Sequence, residues 1–318
     1  MKPPTFEDVL AARERIAPHL RPTPLYAWPA LSELVGADVR VKHENHQPVG
    51  AFKVRGGVNL ASQLSEDERR RGLITASTGN HGQSVAFAAR LHGVRAIVCV
   101  PEAANPLKVG AIRALDAEIV EAGRDFDEAR EHCERLAAEH GYRYVHSGDE
   151  PHLIAGVATQ TLEILEARPE TDVVVVPVGG GSGVAGACIA AEGMGGTAQV
   201  IGVQSEAAPA AYLAWRNRNL EPGEMRTTAE GLATRVPFEL PQRIMWELLR
   251  EFVLVGEEEI RTATRLMIEG TRNLVEPAGA APLAAALKLR DRLAGQRVAL
   301  VCSGGNISLD QLRAALAS

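Results

Sequence analysis

The chain is predicted to be an α/β protein, because short apolar, β-branched runs recur along it and longer stretches of helical periodicity separate them. The runs are Val39 to Val41, Gly72 to Ala76, Ala96 to Val100, Ala117 to Glu121, Val173 to Val178, Val200 to Val203 and Val298 to Cys302. The clearest of them, Val173 to Val176, is apolar at consecutive positions, which suits a strand buried on both faces. At 318 residues the chain can form two domains, or one large domain carrying a subdomain.

Helix boundaries are readable at several points. Asp125-Phe126-Asp127-Glu128 has the spacing of a capping box ahead of the periodic run Ala129 to Ala138. Gly93, Gly141 and Gly295 follow helical stretches, where a left-handed residue commonly closes a helix. A turn cluster at Gly148 to Pro151 predicts a domain division. The irregular stretch Arg216 to Leu240, with Pro222, Gly223, Gly231 and Pro237, reads as surface loop. There is no internal repeat and no low-complexity linker.

Composition excludes several classes of function. With 34 basic against 40 acidic residues, a net charge of -6 gives no general attraction for nucleic acid phosphates. The four cysteines, Cys99, Cys133, Cys188 and Cys302, form no CxxC pair, so reduced thiols in a cytoplasmic protein are expected rather than a zinc knot or disulfide framework. The first twenty residues or so mix charges into an amphipathic pattern without the apolar core of a signal peptide, and no export is expected. Val173 to Ala191 is uncharged and nearly long enough to span a bilayer. Pro177 and the glycines at 179, 180, 181, 183 and 186 argue against a spanning helix there, so no membrane association is expected.

Four segments could carry chemistry. In the first, Glu44 to Gly57, Lys53 follows a turn glycine and precedes an apolar, helical stretch, where it would lose some preference for the charged form and could make a Schiff base. Taken alone, such a lysine is more often a solvated surface residue. The second, Ser77 to Gln83, joins the strand Gly72 to Ala76 to the helical run Ser84 to Leu91, and its backbone amides suit a carboxylate. A plain polar turn, with His81 a satisfied structural histidine, is the simpler account of that segment by itself.

The third segment, Val178 to Gly186, runs from a strand through a glycine-rich turn into an apolar helix and exposes amides that favour a phosphate. It also holds a literal GxGxxG from Gly181 to Gly186, with Glu206 farther on, so a nicotinamide-dependent oxidoreductase is an alternative. The three glycines before Ser182 make a broader amide cup than a dinucleotide fingerprint needs. The fourth, Cys302 to Asn306, follows the strand Val298 to Val301, where a serine hydroxyl could meet a ring nitrogen. By itself it is better explained as a tight turn.

Together and in this order, the four segments resemble the fold-type II pyridoxal-phosphate enzymes, and among them the threonine dehydratase and serine racemase group. The similarity runs from Arg21-Pro-Thr-Pro-Leu25 through Val275-Glu-Pro-Ala-Gly-Ala280 to Ser303. It implies a tryptophan synthase β-like architecture: two open, twisted, mostly parallel sheets flanked by helices. Residues 1–50 and 151–318 would make the large cofactor-binding domain and 51–150 the small one. By the resemblance Lys53 would carry pyridoxal 5'-phosphate, Phe52 would pack against it, and Asn80 would bond the ring hydroxyl. Gly179, Gly180, Gly181, Ser182 and Gly183 would hold the phosphate, and Ser303 would face the pyridine nitrogen. Ser77, Thr78, Asn80 and His81 would receive the substrate carboxylate. A serine at the ring nitrogen weakens the cofactor as an electron sink and favours elimination.

The reaction implied is elimination of water from a β-hydroxy amino acid, followed by hydrolysis that gives a 2-oxo acid and ammonia. Thr78 stands where racemising relatives carry a serine, which counts against racemase activity. Ala51 stands for a serine, Ser182 for a fourth glycine, and Ile154 to Thr159 for a common IAGQGT. These departures, with Thr78, resemble the dehydratases of hydroxyectoine utilisation. The substrate could be threonine or serine, or a bulkier analogue such as a hydroxyectoine-derived amino acid, phenylserine or hydroxyaspartate. Gln204 and Ala210 lack the charge of the relatives' cation site and leave Glu206 as the nearby carboxylate, so no tightly held metal is expected. The relatives are commonly homodimers. A β-replacement enzyme of cysteine synthase type is a further alternative, and a non-catalytic binding protein another.

Overall fold

The structure is a computed structural model and describes residues 1–196 and 198–317. Its strands are β1 (Leu25–Ala27), β2 (Asp38–His43), β3 (Leu73–Ala76), β4 (Ala96–Val100), β5 (Glu118–Glu121), β6 (Arg143–Tyr144), β7 (Val173–Pro177), β8 (Gln199–Ser205), β9 (Glu251–Val255) and β10 (Arg297–Cys302). Six of them form a sheet in the order β1-β2-β10-β7-β8-β9, in which only β1 runs antiparallel to its neighbour. The other four form an all-parallel sheet in the order β5-β4-β3-β6.

The apolar runs find their reason in this arrangement. Along β7, Val173 and Val175 enter one core cluster while Val174 and Val176 enter another, so the strand has a packed face on each side. β3 and β4 are buried at every position. The helix Phe6–Ile16 packs its apolar stripe both ways: Val9 joins a core of the large sheet, and Ala12 and Ile16 join that of the small one.

All seven apolar runs lie wholly or largely within strands, whereas β1, β6 and β9 are additions. β1 and β6 have three and two residues, too few for a pattern. β9 follows the helix Glu239–Leu248 with only Leu249 and Arg250 between them, and no turn-forming residue marks the boundary. Gly93, Gly141 and Gly295 adopt φ of 64°, 70° and 73°, the left-handed values expected of helix-closing residues.

Two readings need correction. Asp125 accepts from the Glu128 N–H at 3.0 Å, but Glu128 turns its carboxylate to the Arg124 N–H and guanidinium instead of back to Asp125. The capping box there is half formed, because a charged donor next to it competes for the carboxylate. Complete boxes occur at Thr5/Asp8, Ser65/Glu68 and Ser308/Gln311. The stretch Arg216 to Leu240 is not all surface: Ala229, Leu232 and Leu240 are buried, and a 3-10 turn, Glu230–Leu232, lies within it.

A buried ion cluster joins the two halves. Arg55, on the helix Lys53–Ala61, makes two bonds of 2.7 and 2.8 Å to Glu44 after β2 and two of 2.6 and 2.8 Å to Glu163 on the helix Pro151–Ala167. Lys42 of β2 pairs with Glu163, and Thr23 donates to Glu44. The two carboxylates and two cations balance. Burial opposes charge on Glu44, but Arg55 and Lys42 beside it hold its carboxyl below the usual range. Removing the guanidinium while leaving both carboxylates buried is expected to cost about 3–5 kcal/mol of stability, read as a lowered urea midpoint for Arg55→Met. A change below about 1 kcal/mol would contradict the structural weight given to the cluster.

Candidate active site

In an open parallel sheet the carboxyl ends of the strands collect the loops that bind ligands. Here β2, β10 and β7 are adjacent, so the segments after them meet: Glu44 to Lys53, the Ser303 turn and the glycine run. The Lys53 segment is tied to the Ser303 turn by its backbone. Phe52 N–H donates to Ser303 O at 2.9 Å, Gly305 N–H donates to Gly50 O at 2.9 Å, and Ala51 bridges to Gly304. The side chain of Lys53 therefore starts from a fixed point.

Lys53 Nζ donates to the Ser147 carbonyl at 2.9 Å and the Ser182 hydroxyl at 2.8 Å, both neutral acceptors. Burial lowers its pKa to about 8. An amine with that pKa is roughly one-tenth neutral at pH 7, against about one part in three thousand for an ordinary lysine. Ser182 opens the helix Ser182–Gly193, whose first turn is capped by no side chain and whose N-cap, Gly181, needs φ of 91°. The donors of that helix end are thus left beside the amine. Phe52 lies against Gly183, where a Cβ would come within 3.2 Å of its ring.

The second helix N-terminus comes from the small sheet. The strand β3 leads into Ser77 and then the helix Asn80–Leu91, which also has no side-chain cap. Ser77 Oγ accepts from Gly79 N–H at 3.2 Å. Asn80 donates from Nδ2 to Glu276 at 2.9 Å and accepts from Asn306 at 2.7 Å, which links this turn to the segment after β10. His81 is buried, and its Nε2 must donate to the Val145 carbonyl at 3.1 Å, since a carbonyl only accepts. Burial and the nearby Lys53 amine lower its pKa to about 3, so it is neutral. Thr78 lines a cleft of about 340 Å³ with Asn105, Lys108, Arg124 and Glu230, and Lys108 pairs with Glu230 across it.

The structure thus gathers Phe52, Lys53, Ser182, Gly183 and Ser303 around one point, and links Asn80 to the same region through Asn306. Ser77, Thr78 and His81 stand on the adjoining turn. Sequence reasoning missed Ser147, His146, Glu276 and the contribution of residues 229–240. The carbonyl of Gly231 and the hydroxyl of Thr234 close over Gly179, and the ring of Phe238 lies over Gly180. Glu276 alone had a signal, as part of Val275 to Ala280. At the suggested cation position, Gln204 accepts from Tyr212 N–H, while Ser205, Thr227 and Thr228 all donate to Glu257. No group of three potential metal-ligating side chains occurs among the described residues.

These residues fit pyridoxal phosphate. A half-buried amine of lowered pKa has no carboxylate partner, an uncapped helix end beside it suits a phosphate monoester, and a second uncapped turn suits a carboxylate. A dinucleotide would leave the amine and the second turn without a role.

Two titrations test the electrostatics. In cofactor-free protein the acylation rate of Lys53, followed by peptide mass mapping, is expected to level off above about pH 8, not climb toward 10.5. Burial raises the Glu276 pKa to about 7 from an ordinary value of 4.5, so the folded state keeps a proton that the unfolded state has lost between those values. Stability contributed by this proton is present below pH 4.5 and is lost as pH rises through 7. Glu276→Gln is expected to flatten that part of the stability–pH curve, and an unaltered slope would be the contrary result.

Comparison with known proteins agrees with the geometry. The family model described as pyridoxal-phosphate dependent enzyme matches residues 16–304. The L-threonine ammonia-lyase of Thermotoga maritima is 39% identical over 309 residues, covering 97% of this chain and 77% of that protein. The β-hydroxyaspartate dehydratase of Paracoccus denitrificans is 35% identical over 314 residues, covering 97% and 98%. The crystal structure of serine racemase from Dictyostelium discoideum superposes with a TM-score of 0.91 at 31% identity, covering 96% of this chain and 99% of that one. The shared architecture, the family match across the four segments and the lysine at their meeting point lead to one conclusion: the chain belongs to the pyridoxal-phosphate dependent enzymes, in the fold-type II group of threonine dehydratase and serine racemase.

Proposed function

We propose that this ammonia-lyase works on a β-hydroxy amino acid through Lys53: water is eliminated across the α- and β-carbons, and a water molecule then hydrolyses the resulting imine, releasing ammonia and leaving a 2-oxo acid. The observation that carries the reading is the Lys53 amine, lowered to about 8, held between the Ser147 carbonyl and the Ser182 hydroxyl at an uncapped helix end. The working cleft lies between a small domain of residues 51–150 and a large one of 1–50 and 151–318. Threonine and serine, and the bulkier hydroxyaspartate, phenylserine and hydroxyectoine-derived amino acids, share the required arrangement of amine, α-proton and β-hydroxyl.

Each residue has a task in this reading. Gly179, Gly180, Gly181, Ser182 and Gly183 would hold the phosphate of the cofactor with backbone amides, Phe52 would pack against the cofactor, and Ser303 would meet its pyridine nitrogen. Pyridoxal phosphate, when bound, supplies the electron sink for the pair released at the substrate α-carbon. Ser77, Thr78 and Asn80 orient the substrate carboxylate through the turn before the helix Asn80–Leu91. His81, fixed on Val145, holds that turn in shape without bringing a charge. Lys53 Nζ, when neutral and unbonded, takes the substrate α-proton. The Ser147 carbonyl and Ser182 hydroxyl keep the nitrogen in place to do so.

A panel of threonine, serine, 3-hydroxyaspartate, phenylserine and O-acetylserine, assayed for 2-oxo acid with and without sulfide, tests the function. At least one β-hydroxy substrate is expected to release oxo acid without sulfide, and Lys53→Ala is expected to lose about a hundred- to ten-thousandfold in rate. Turnover of O-acetylserine alone, with sulfide consumed, would assign the β-replacement class instead. The reading also makes the enzyme a cytoplasmic homodimer; the four free, buried cysteines accord with a reducing compartment. No helix among the described residues is long and apolar enough to cross a membrane. Light scattering checks the dimer.

A further inference from the structure

We propose that Phe238 sets the upper size of the β-substituent that the enzyme accepts, an inference that rests on the dehydratase reading above. The ring is seated by the absence of two side chains. A Cβ on Gly148 would lie 2.2 Å from Phe238 Cδ2, and one on Gly180 would lie 2.1 Å from Phe238 Cε2. Neither glycine adopts a positive φ. An L side chain would therefore suit either backbone, and what glycine provides at both positions is room for the ring.

The ring is also held from outside. His146 meets it edge to face, with centroids 4.7 Å apart and planes at 75°. His146 is itself fixed, because its Nδ1 accepts from the N–H groups of Gly148 at 3.2 Å and Asp149 at 2.8 Å. Two residues beyond Phe238, Leu240 N–H donates to Asp149 Oδ1 at 2.8 Å. The ring is thus anchored to the 146–149 turn through packing and through its own chain.

That turn and the glycine run are the two segments that hold the Lys53 amine. Ser147, whose carbonyl accepts from Nζ, precedes Gly148; Ser182, whose hydroxyl accepts from it, lies two residues after Gly180. The Cδ2–Cε2 edge of Phe238 therefore sits where both segments converge beside the amine. In the proposal, a substrate held at Lys53 faces this ring as an aromatic wall on the side of the Ser147 and Ser182 segments. Burial keeps His146 neutral, so the wall brings no cation for an acidic substituent. A ring held in this way would obstruct a phenyl β-substituent more than a hydrogen or methyl, which selects the serine and threonine class over phenylserine.

The test is the ratio of kcat/KM for phenylserine to that for threonine, measured on cofactor-loaded enzyme with bound cofactor quantified by absorbance. Phe238→Ala is expected to raise the ratio about tenfold or more with cofactor content unchanged. Gly148→Ala, whose added methyl expels the ring, is expected to shift the ratio the same way. Phe238→Leu, which keeps an apolar side chain, is expected to fall between wild type and Phe238→Ala, and it decides the matter by the same ratio should the alanine variant fail to fold. An unchanged ratio overturns the proposal, whether or not cofactor is lost; loss of cofactor at constant ratio would assign Phe238 to seating the cofactor. Failure of the dehydratase reading looks different: the wild type would release no oxo acid from any substrate, and the proposal would fall with it.

Discussion

The position of Lys53 depends on a charge cluster that never meets the substrate. Arg55 lies two residues along the same helix, with its guanidinium bonded to Glu44 behind β2 and to Glu163 on the helix that spans the two sheets. A helix entered directly from a turn, with no side-chain cap, could otherwise rotate or slide. Four directed, charge-assisted bonds from a planar group fix it against both neighbours. Because two carboxylates face two cations, the cluster is neutral, and the environment of the active amine is set by burial instead of a nearby charge.

Electrical sparseness is the common property of the site. The acceptors around Lys53 are a carbonyl and a hydroxyl, His81 and His146 are held neutral by burial, and Glu276 is kept partly protonated near neutral pH. What charge complementarity remains comes from two uncapped helix N-termini, one from each sheet. Such a site attracts a phosphate and a carboxylate while leaving a nucleophilic amine free of a fixed counter-ion. The ionised side chains near the cleft, among them Lys108, Glu230 and Arg124, stand at its rim and pair with one another or with nearby residues. The chemistry and the solvation of the mouth are therefore separated in space.

Much of this could be read from the chain. Fully buried parallel strands have a plain signal, since both faces demand apolar residues, and Val173 to Val176 and Val298 to Val301 carried it. The turn after β3 and the glycine run after β7 were recognisable because helix starts on backbone amides need small or polar residues there. β9 was hidden because the connection before it, Leu249 and Arg250, holds no glycine, proline, asparagine or aspartate to announce a turn. Residues 229–240 were misread for a related reason: an irregular backbone can be buried when its groups find partners in a neighbouring segment, and periodicity does not report that. Phe238 illustrates the point, since its significance depends on two glycines far away in sequence, each of which looked like a turn residue.

The sequence by itself determined the α/β class and the amide-rich turns, because each follows from local pattern, burial on both faces or helix entry; the two-sheet architecture and the role of Lys53 came from the resemblance carried by the four segments in their order. Only the tertiary structure decided what surrounds the amine. The Ser147 carbonyl, the neutral histidines, the Arg55 cluster and the Phe238 wall arise from contacts between segments tens of residues apart or more. Their effects act through desolvation and excluded volume, and these depend on where the segments meet in space.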